Sequence, residues 1–227
     1  MIKYPQYWNL IGLKYNKAIF IETLKSVLAD IPCENLSYSG GLDSSLLLYF
    51  MLELRKEVKT FTVACHEDHP DIKYSMLCIN QLKNKFHKQI DSDWIILKNT
   101  GIGDDLVSAF YKNLYTTKGV RSIIAGDGID EFMCGYYKHQ GNNKEKVYYN
   151  LMWKLQKEQL LPLDKNSHEV EIYLPYLDNR MLSLYAGIPL TAQIDSRNRK
   201  KILLSLAKGK LPKEIIERRK YGFCTGI

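Results

Sequence analysis

With 227 residues, 45% of them hydrophobic, the chain can bury one sizeable core, and a single domain is expected. No run of about 18 apolar residues occurs, which excludes a hydrophobic membrane helix, and the opening Met1-Ile2-Lys3-Tyr4-Pro5-Gln6 lacks the apolar core of a secretion signal. The net charge of +7 is local: from Arg197 to Ile227 ten Lys/Arg face only Glu214 and Glu217, so this segment carries +8 and the other 196 residues −1. Such a segment suits the phosphates of a nucleotide or a nucleic acid, or forms a solvated helix face. Five cysteines (Cys33, Cys65, Cys78, Cys134, Cys224) are scattered and never form C-x-x-C. That spacing favours reduced thiols and a cytoplasmic setting, and argues against a structural zinc or iron–sulfur site.

In chain order, Ile19, Ile21, Leu24, Val27 and Leu28 recur at helical spacing and predict an amphipathic helix over 16–30. Four short β-prone runs follow, at 35–38, 59–64, 93–97 and 122–125, separated by helical stretches at 44–56, 72–86 and 104–115. Strands alternating with helices of this length predict an α/β fold, an open parallel sheet with helices on both faces. Beyond Glu131 the β character fades, and the remainder reads as helices at 144–157, 179–187, 198–208 and 212–218. No internal repeat or low-complexity linker interrupts the chain.

The turn after the first strand reads Ser39-Gly40-Gly41-Leu42-Asp43-Ser44-Ser45. Strand, glycine turn and helix start together aim backbone N–H groups and the positive helix end at an anion. The glycines allow close approach and positive φ, and three serines add hydroxyls. Asp43 would repel a bare phosphate, so its presence calls for a divalent cation between them. The Gly-Lys-Ser/Thr ending of a Walker loop is absent. A second acidic turn, Gly126-Asp127-Gly128-Ile129-Asp130-Glu131, follows the fourth strand. Ligands in open α/β sheets sit beyond the carboxyl ends of the strands, so both turns fall on one edge. Carboxylates from two strands, completed by phosphate oxygens and water, are what Mg²⁺ requires.

These motifs resemble those of the PP-loop ATP pyrophosphatases, and more closely the synthetase domain of asparagine synthetases and β-lactam synthetases. Leu36-Ser37-Tyr38-Ser39-Gly40-Gly41-Leu42-Asp43-Ser44-Ser45 resembles the pyrophosphate loop. The run from Gly126 to Tyr136 resembles the Ser-Gly-Glu-Gly-Ser-Asp-Glu-x-x-x-Gly-Tyr turn. Leu174-Pro175-Tyr176-Leu177-Asp178 is similar to Val-Pro-Phe-Leu-Asp, and the segment from Leu211 to Phe223 to the C-terminal Leu-Pro…Arg-x-Lys…Phe. The resemblance implies a nucleotide-binding core over about 31–140 and a helical part over about 141–227 that completes the active site. It further implies ATP and Mg²⁺ as cofactors, and a ligase that adenylates a carboxylate and passes the acyl group to ammonia or an amine. Asp43 and Asp130 would hold the metal, and Ser39, Gly40, Gly41, Asp43 and Ser44 the pyrophosphate. Leu36, Val63 and Gly126 would line the adenosine site, and Lys200 would contact pyrophosphate. Lys220 would be the catalytic lysine, and Asp127 would sit next to the acyl centre.

Asp127 stands where asparagine synthetases usually carry Glu and β-lactam synthetases Tyr, and Tyr173 replaces the Arg of a Glu-x-Arg-x-Pro pattern whose Glu171 is kept. Ala125 replaces a Ser. Losing the Arg removes a bidentate partner for a carboxylate, so aspartate is not assumed as the substrate. Ile2 stands where glutaminase-bearing relatives place their nucleophilic Cys, and about 34 residues precede the loop. The expected nitrogen source is therefore free ammonia, an amine, or a separate glutaminase or carrier protein, with a homodimer as the assembly considered. Two other readings are a tRNA- or nucleobase-modifying PP-loop enzyme, disfavoured by the missing C-x-x-C, and a nucleotide-binding subunit inactive without its partner. The loop His66-Glu67-Asp68-His69-Pro70-Asp71 is read as polar rather than metal-binding, and the 16 tyrosines as packing rather than base stacking. Cys65 and Cys134, near the proposed site, leave a sulfur-transfer role open.

Overall fold

In the computed structural model, which describes residues 15–54, 57–98, 100 and 103–219, helices and strands alternate through the first half of the chain. These elements are α1 (Lys17–Asp30), β1 (Asn35–Ser37), α2 (Leu42–Glu53), β2 (Val58–Ala64), α3 (Pro70–Phe86), β3 (Ile90–Ile96), α4 (Asp104–Thr116) and β4 (Ser122–Ile124). The Asn16 side chain accepts the Ala18 N–H at 2.7 Å and starts α1. Its buried stripe is Phe20, Leu24, Val27 and Leu28; Ile19, part of the predicted face, is exposed. Every residue of α2 from Ser44 to Leu52 is buried, as suits a helix apolar on all sides.

All strands run parallel in the order β3-β2-β1-β4-β5, flanked by helices. Leu36 of β1 is in register with Thr60 of β2 on one side and Ile124 of β4 on the other. From β1 the chain builds outward through β2 and β3, then returns to place β4 on β1's other edge. The strand order therefore reverses between β1 and β4, and the loops leaving these two strands open a crevice at their carboxyl ends.

The second half departs from the all-helical expectation. β5 (Glu171–Tyr173) pairs with β4, Ser122 against Glu171 and Ile124 against Tyr173. With three residues and a single fully buried side chain, Ile172, it leaves too short an alternation to stand out in sequence. A short helix, α5 (Ile129–Phe132), lies inside the second acidic turn. The helix predicted at 144–157 is α6 (Lys144–Leu155), which continues through a π turn, Gln156–Leu160, into α7 (Leu161–Asn166). Pro162, with no N–H to donate, sits where the wide turn gives way to α-helix. The chain then forms α8 (Asn179–Ala186), α9 (Leu190–Gln193), α10 (Lys201–Ala207) and α11 (Lys213–Ile216). Among the described residues no helix is long and apolar enough to cross a membrane.

Candidate active site

The first turn is drawn tight by its own hydroxyls. Ser39 Oγ accepts the Gly41 N–H and lies 3.3 Å from Ser44 Oγ. Gly40 has φ +64°, and a Cβ there would come within 2.6 Å of the Tyr74 carbonyl carbon and 2.9 Å of Ser75 Cα. The turn can therefore press against α3 only with glycine at this position. Gly40→Ala is expected to cost at least about 2 kcal/mol through combined left-handed strain and overpacking, measured as a shift in the urea midpoint.

The second turn meets the first across the crevice. A Cβ on Gly126 would lie 3.9 Å from both Asp43 Cβ and the Ser44 nitrogen, so the two turns are in direct contact range. Lys200 comes in from the amino end of α10 and pairs with both Asp43 and Asp130, at 2.6 Å from the Asp130 carboxylate. Its backbone is left-handed, φ 51°, and its side chain is buried. Burial works against the ammonium, but the Asp130 and Asp43 carboxylates outweigh it and hold the Lys200 pKa above the usual lysine value. A Cβ at Gly135 would overlap both the Asp130 carboxylate and the Lys200 stem, so a side chain there would break the pair apart.

The third and fourth motifs hold this centre from outside. The Tyr176 hydroxyl donates to the Asp43 carbonyl at 2.9 Å. Leu177 fills the space that a Cβ on Gly128 (φ +85°) would occupy, locking the second turn. Asp178 caps α8 by accepting the Arg180 N–H. From the fourth motif, Leu211 and Ile215 enter the core while Arg218 reaches the first turn. Its guanidinium donates to the Ser39 carbonyl at 2.7 Å, pairs with Asp71 and lies 4.5 Å from the centre of the Tyr74 ring.

The sequence-predicted residues thus separate into groups. Ser39, Gly40, Gly41, Asp43, Ser44, Gly126, Asp130 and Lys200 converge at the carboxyl ends of β1 and β4. Leu36 and Val63 are buried in the core, within β1 and β2. Asp127 is exposed at the tip of the second turn, and after burial its charge is the next cause raising the Tyr111 phenol pKa. Lys220 lies outside the described residues. Burial and a hydrogen bond to Glu171 push the Tyr173 phenol up to about 12.

Four participants, Asp71, Arg218, Glu131 and Gln159, were given no site role from sequence. Asp71 and Arg218 form the clamp on the first turn; within the loop read as merely polar, His69 caps α3 by accepting the Asp71 N–H. Glu131, fully buried beside Asp130, accepts from the Tyr136 hydroxyl and the Gln159 amide, both at 2.6 Å. Burial pushes its carboxyl pKa up, with the Asp130 charge adding to it, against the Tyr136 and Gln159 bonds. Gln159 reaches Glu131 from the π turn, whose extra residue no hydrophobic period could reveal.

Among the described residues no group of three or more His, Cys, Asp or Glu gathers as a metal cage. The Asp43–Asp130 pair nevertheless suits a divalent cation that takes its other ligands from phosphate and water. In support, Asp43 Oδ1 is buried and has no hydrogen-bond partner among the described residues, leaving a hard oxygen unsatisfied.

Comparison with known proteins bears on the family of the chain. The family model described as asparagine synthase matches residues 36–166 and 164–227. Among curated relatives, the asparagine synthetase (glutamine-hydrolyzing) of Gallus gallus is 29% identical over 221 residues, and that of Cricetulus griseus 28% over 223. The Homo sapiens protein of the same description is 27% identical over 223 residues. Each alignment covers 83% of this chain and 39% of the relative, so the chain spans well under half the length of the curated relatives it matches.

Proposed function

The chain belongs to the asparagine synthase family, and from that premise we propose that it is an ATP-dependent, AMP-forming C–N ligase. In this reading a substrate carboxylate attacks the α-phosphorus of ATP, giving an acyl-adenylate and pyrophosphate. Ammonia or an amine then displaces AMP. The observation that carries the proposal is the meeting of Asp43, Asp130 and Lys200 between two glycine turns at the strand-order reversal.

The N–H groups at the start of α2 and the hydroxyls of Ser39 and Ser44 would receive the departing pyrophosphate, with Gly40 and Gly41 keeping the backbone close. Asp43 and Asp130 would hold Mg²⁺, which when bound supplies positive charge to the phosphates. Lys200 would add a fixed cation on the pyrophosphate side and Lys220 one near the reacting acyl group. Gly126 and the strand ends at Leu36 and Val63 would border the adenosine. Asp127, exposed at the mouth, would orient or deprotonate the incoming amine.

Two features bear on substrate and partner. Tyr173 stands in the place of the family's Arg and supplies no guanidinium fork for a carboxylate, which favours a carboxylate other than aspartate. Lys200 and Arg218 are buried against acidic groups, which removes charge a nucleic acid would otherwise meet and disfavours the RNA-modifying reading. Pyrophosphate release is the test, measured with Mg·ATP across a panel of small carboxylates with ammonia and amines. Release that depends on one carboxylate is expected. Failure to bind ATP with Mg²⁺ and to release pyrophosphate with any of them would overturn the reading.

A further inference from the structure

We propose that Lys200 is the resident counter-cation of the Asp43–Asp130 pair, and that it makes divalent-metal binding conditional on the phosphates that arrive with the metal. The inference rests on the reading of this crevice as a metal–nucleotide site. Two carboxylates on the turns that follow adjacent strands repel each other unless a cation lies between them, and Lys200 takes that position. Three independent features maintain it there. Lys200 adopts a left-handed backbone that a lysine reaches only at a cost. Gly135 leaves open the space that its stem and the Asp130 carboxylate occupy. The Gly135 N–H donates to the Asp130 carbonyl at 2.7 Å, curling the chain back around the pair.

The charge balance gives this arrangement a consequence. The trio carries a formal −1. A divalent cation arriving alone must displace an ammonium from both its partners while that ammonium remains buried, and leaves the group at +1. An unpaired buried charge is strongly disfavoured. Phosphates arriving with the metal offer the displaced ammonium new anionic partners and restore negative charge to the group. Lys200 therefore discriminates between metal bound to phosphate and metal alone, a specificity that the two carboxylates by themselves could not provide.

The test uses Mn²⁺ alone, titrated into the nucleotide-free full chain and followed by loss of the electron paramagnetic resonance signal of the free ion. Lys200→Met is expected to bind one Mn²⁺ at least ~10-fold more tightly than the unmodified protein, and Asp130→Asn in the same background to lose that site. Lys200→Gln, whose amide can still donate to one carboxylate, carries the same expectation and serves where the methionine variant does not fold. Equal Mn²⁺ affinity in the unmodified protein and the folded variant would overturn the proposal. So would tight single-site Mn²⁺ binding by the unmodified protein that Asp130→Asn abolishes. Neither nucleotide nor acyl substrate enters the readout, so its outcome is separable from that of pyrophosphate release.

Discussion

Asp43→Asn is expected to lower ATP-dependent pyrophosphate release by about 10²–10³-fold, the scale seen when one preorganised electrostatic contact is removed. The protein should stay folded. Asparagine is nearly isosteric, the Tyr176 hydroxyl bonds the backbone carbonyl rather than the carboxylate, and Lys200 keeps its pair with Asp130. A thermal or urea transition within about 1–2 kcal/mol of the original would establish that the activity loss is local. Lys220→Ala gives the parallel result, activity lost with the transition unchanged. Retained turnover in either variant would remove that residue from its assigned role. If Asp43→Asn unfolded the chain, the carboxylate would instead be a structural group.

Arg218→Ala is expected to act on both stability and activity. It removes two attachments, the ion pair to Asp71 and the bond to the Ser39 carbonyl, and leaves Asp71 buried without its guanidinium. Breaking a buried pair from one side costs about 3–5 kcal/mol. The double-mutant cycle with Asp71→Asn separates the pair from the rest. Arg218→Ala in the Asp71→Asn background should cost at least about 1 kcal/mol less than in the original protein, measured by urea denaturation. The contact to Ser39 makes a second readout specific. Once the first turn loses its restraint, the KM for ATP should rise in Arg218→Ala. It should also rise in Arg218→Lys, because a single ammonium cannot span both acceptors in the guanidinium's fork geometry. An unchanged KM in variants that fold would confine Arg218 to a structural role.

The physical reasons for what sequence reading found and missed differ from element to element. Strand β2 was legible because a parallel strand buried along nearly its whole length is an apolar run bounded by turn residues, whereas β1 and β4, three residues each, stood out through the glycine turns that follow them. β3 begins three residues before its predicted start because Asp91 and Ser92, polar along an edge strand, concealed its beginning. The two acidic turns could be read because glycine spacing and an acid inside an anion site are local chemical contradictions. That Lys200 lies between their carboxylates could not be read, since it is 157 residues from Asp43 and its aim depends on a left-handed backbone. The same holds for Arg218 and Asp71, 147 residues apart. The family motif brought the C-terminal arginine to attention but did not say which acid it meets. Tyr173 shows the opposite limit: the substitution was visible, while the Glu171 partner that helps raise its phenol pKa was not.

The order in which the site's charges appear along the chain has a consequence for how the protein is made. Both acidic turns emerge within the first 131 residues, after strands that pair with each other, whereas the cation that lies between their carboxylates comes from residue 200. A nascent chain that has already built the central sheet therefore holds two facing carboxylates without Lys200 between them until the segment that carries it leaves the ribosome and folds back. Closure of the C-terminal segment is thus the step that relieves the sheet of its own repulsion. Chains stalled before residue 200 should be held together least well at the β1–β4 seam.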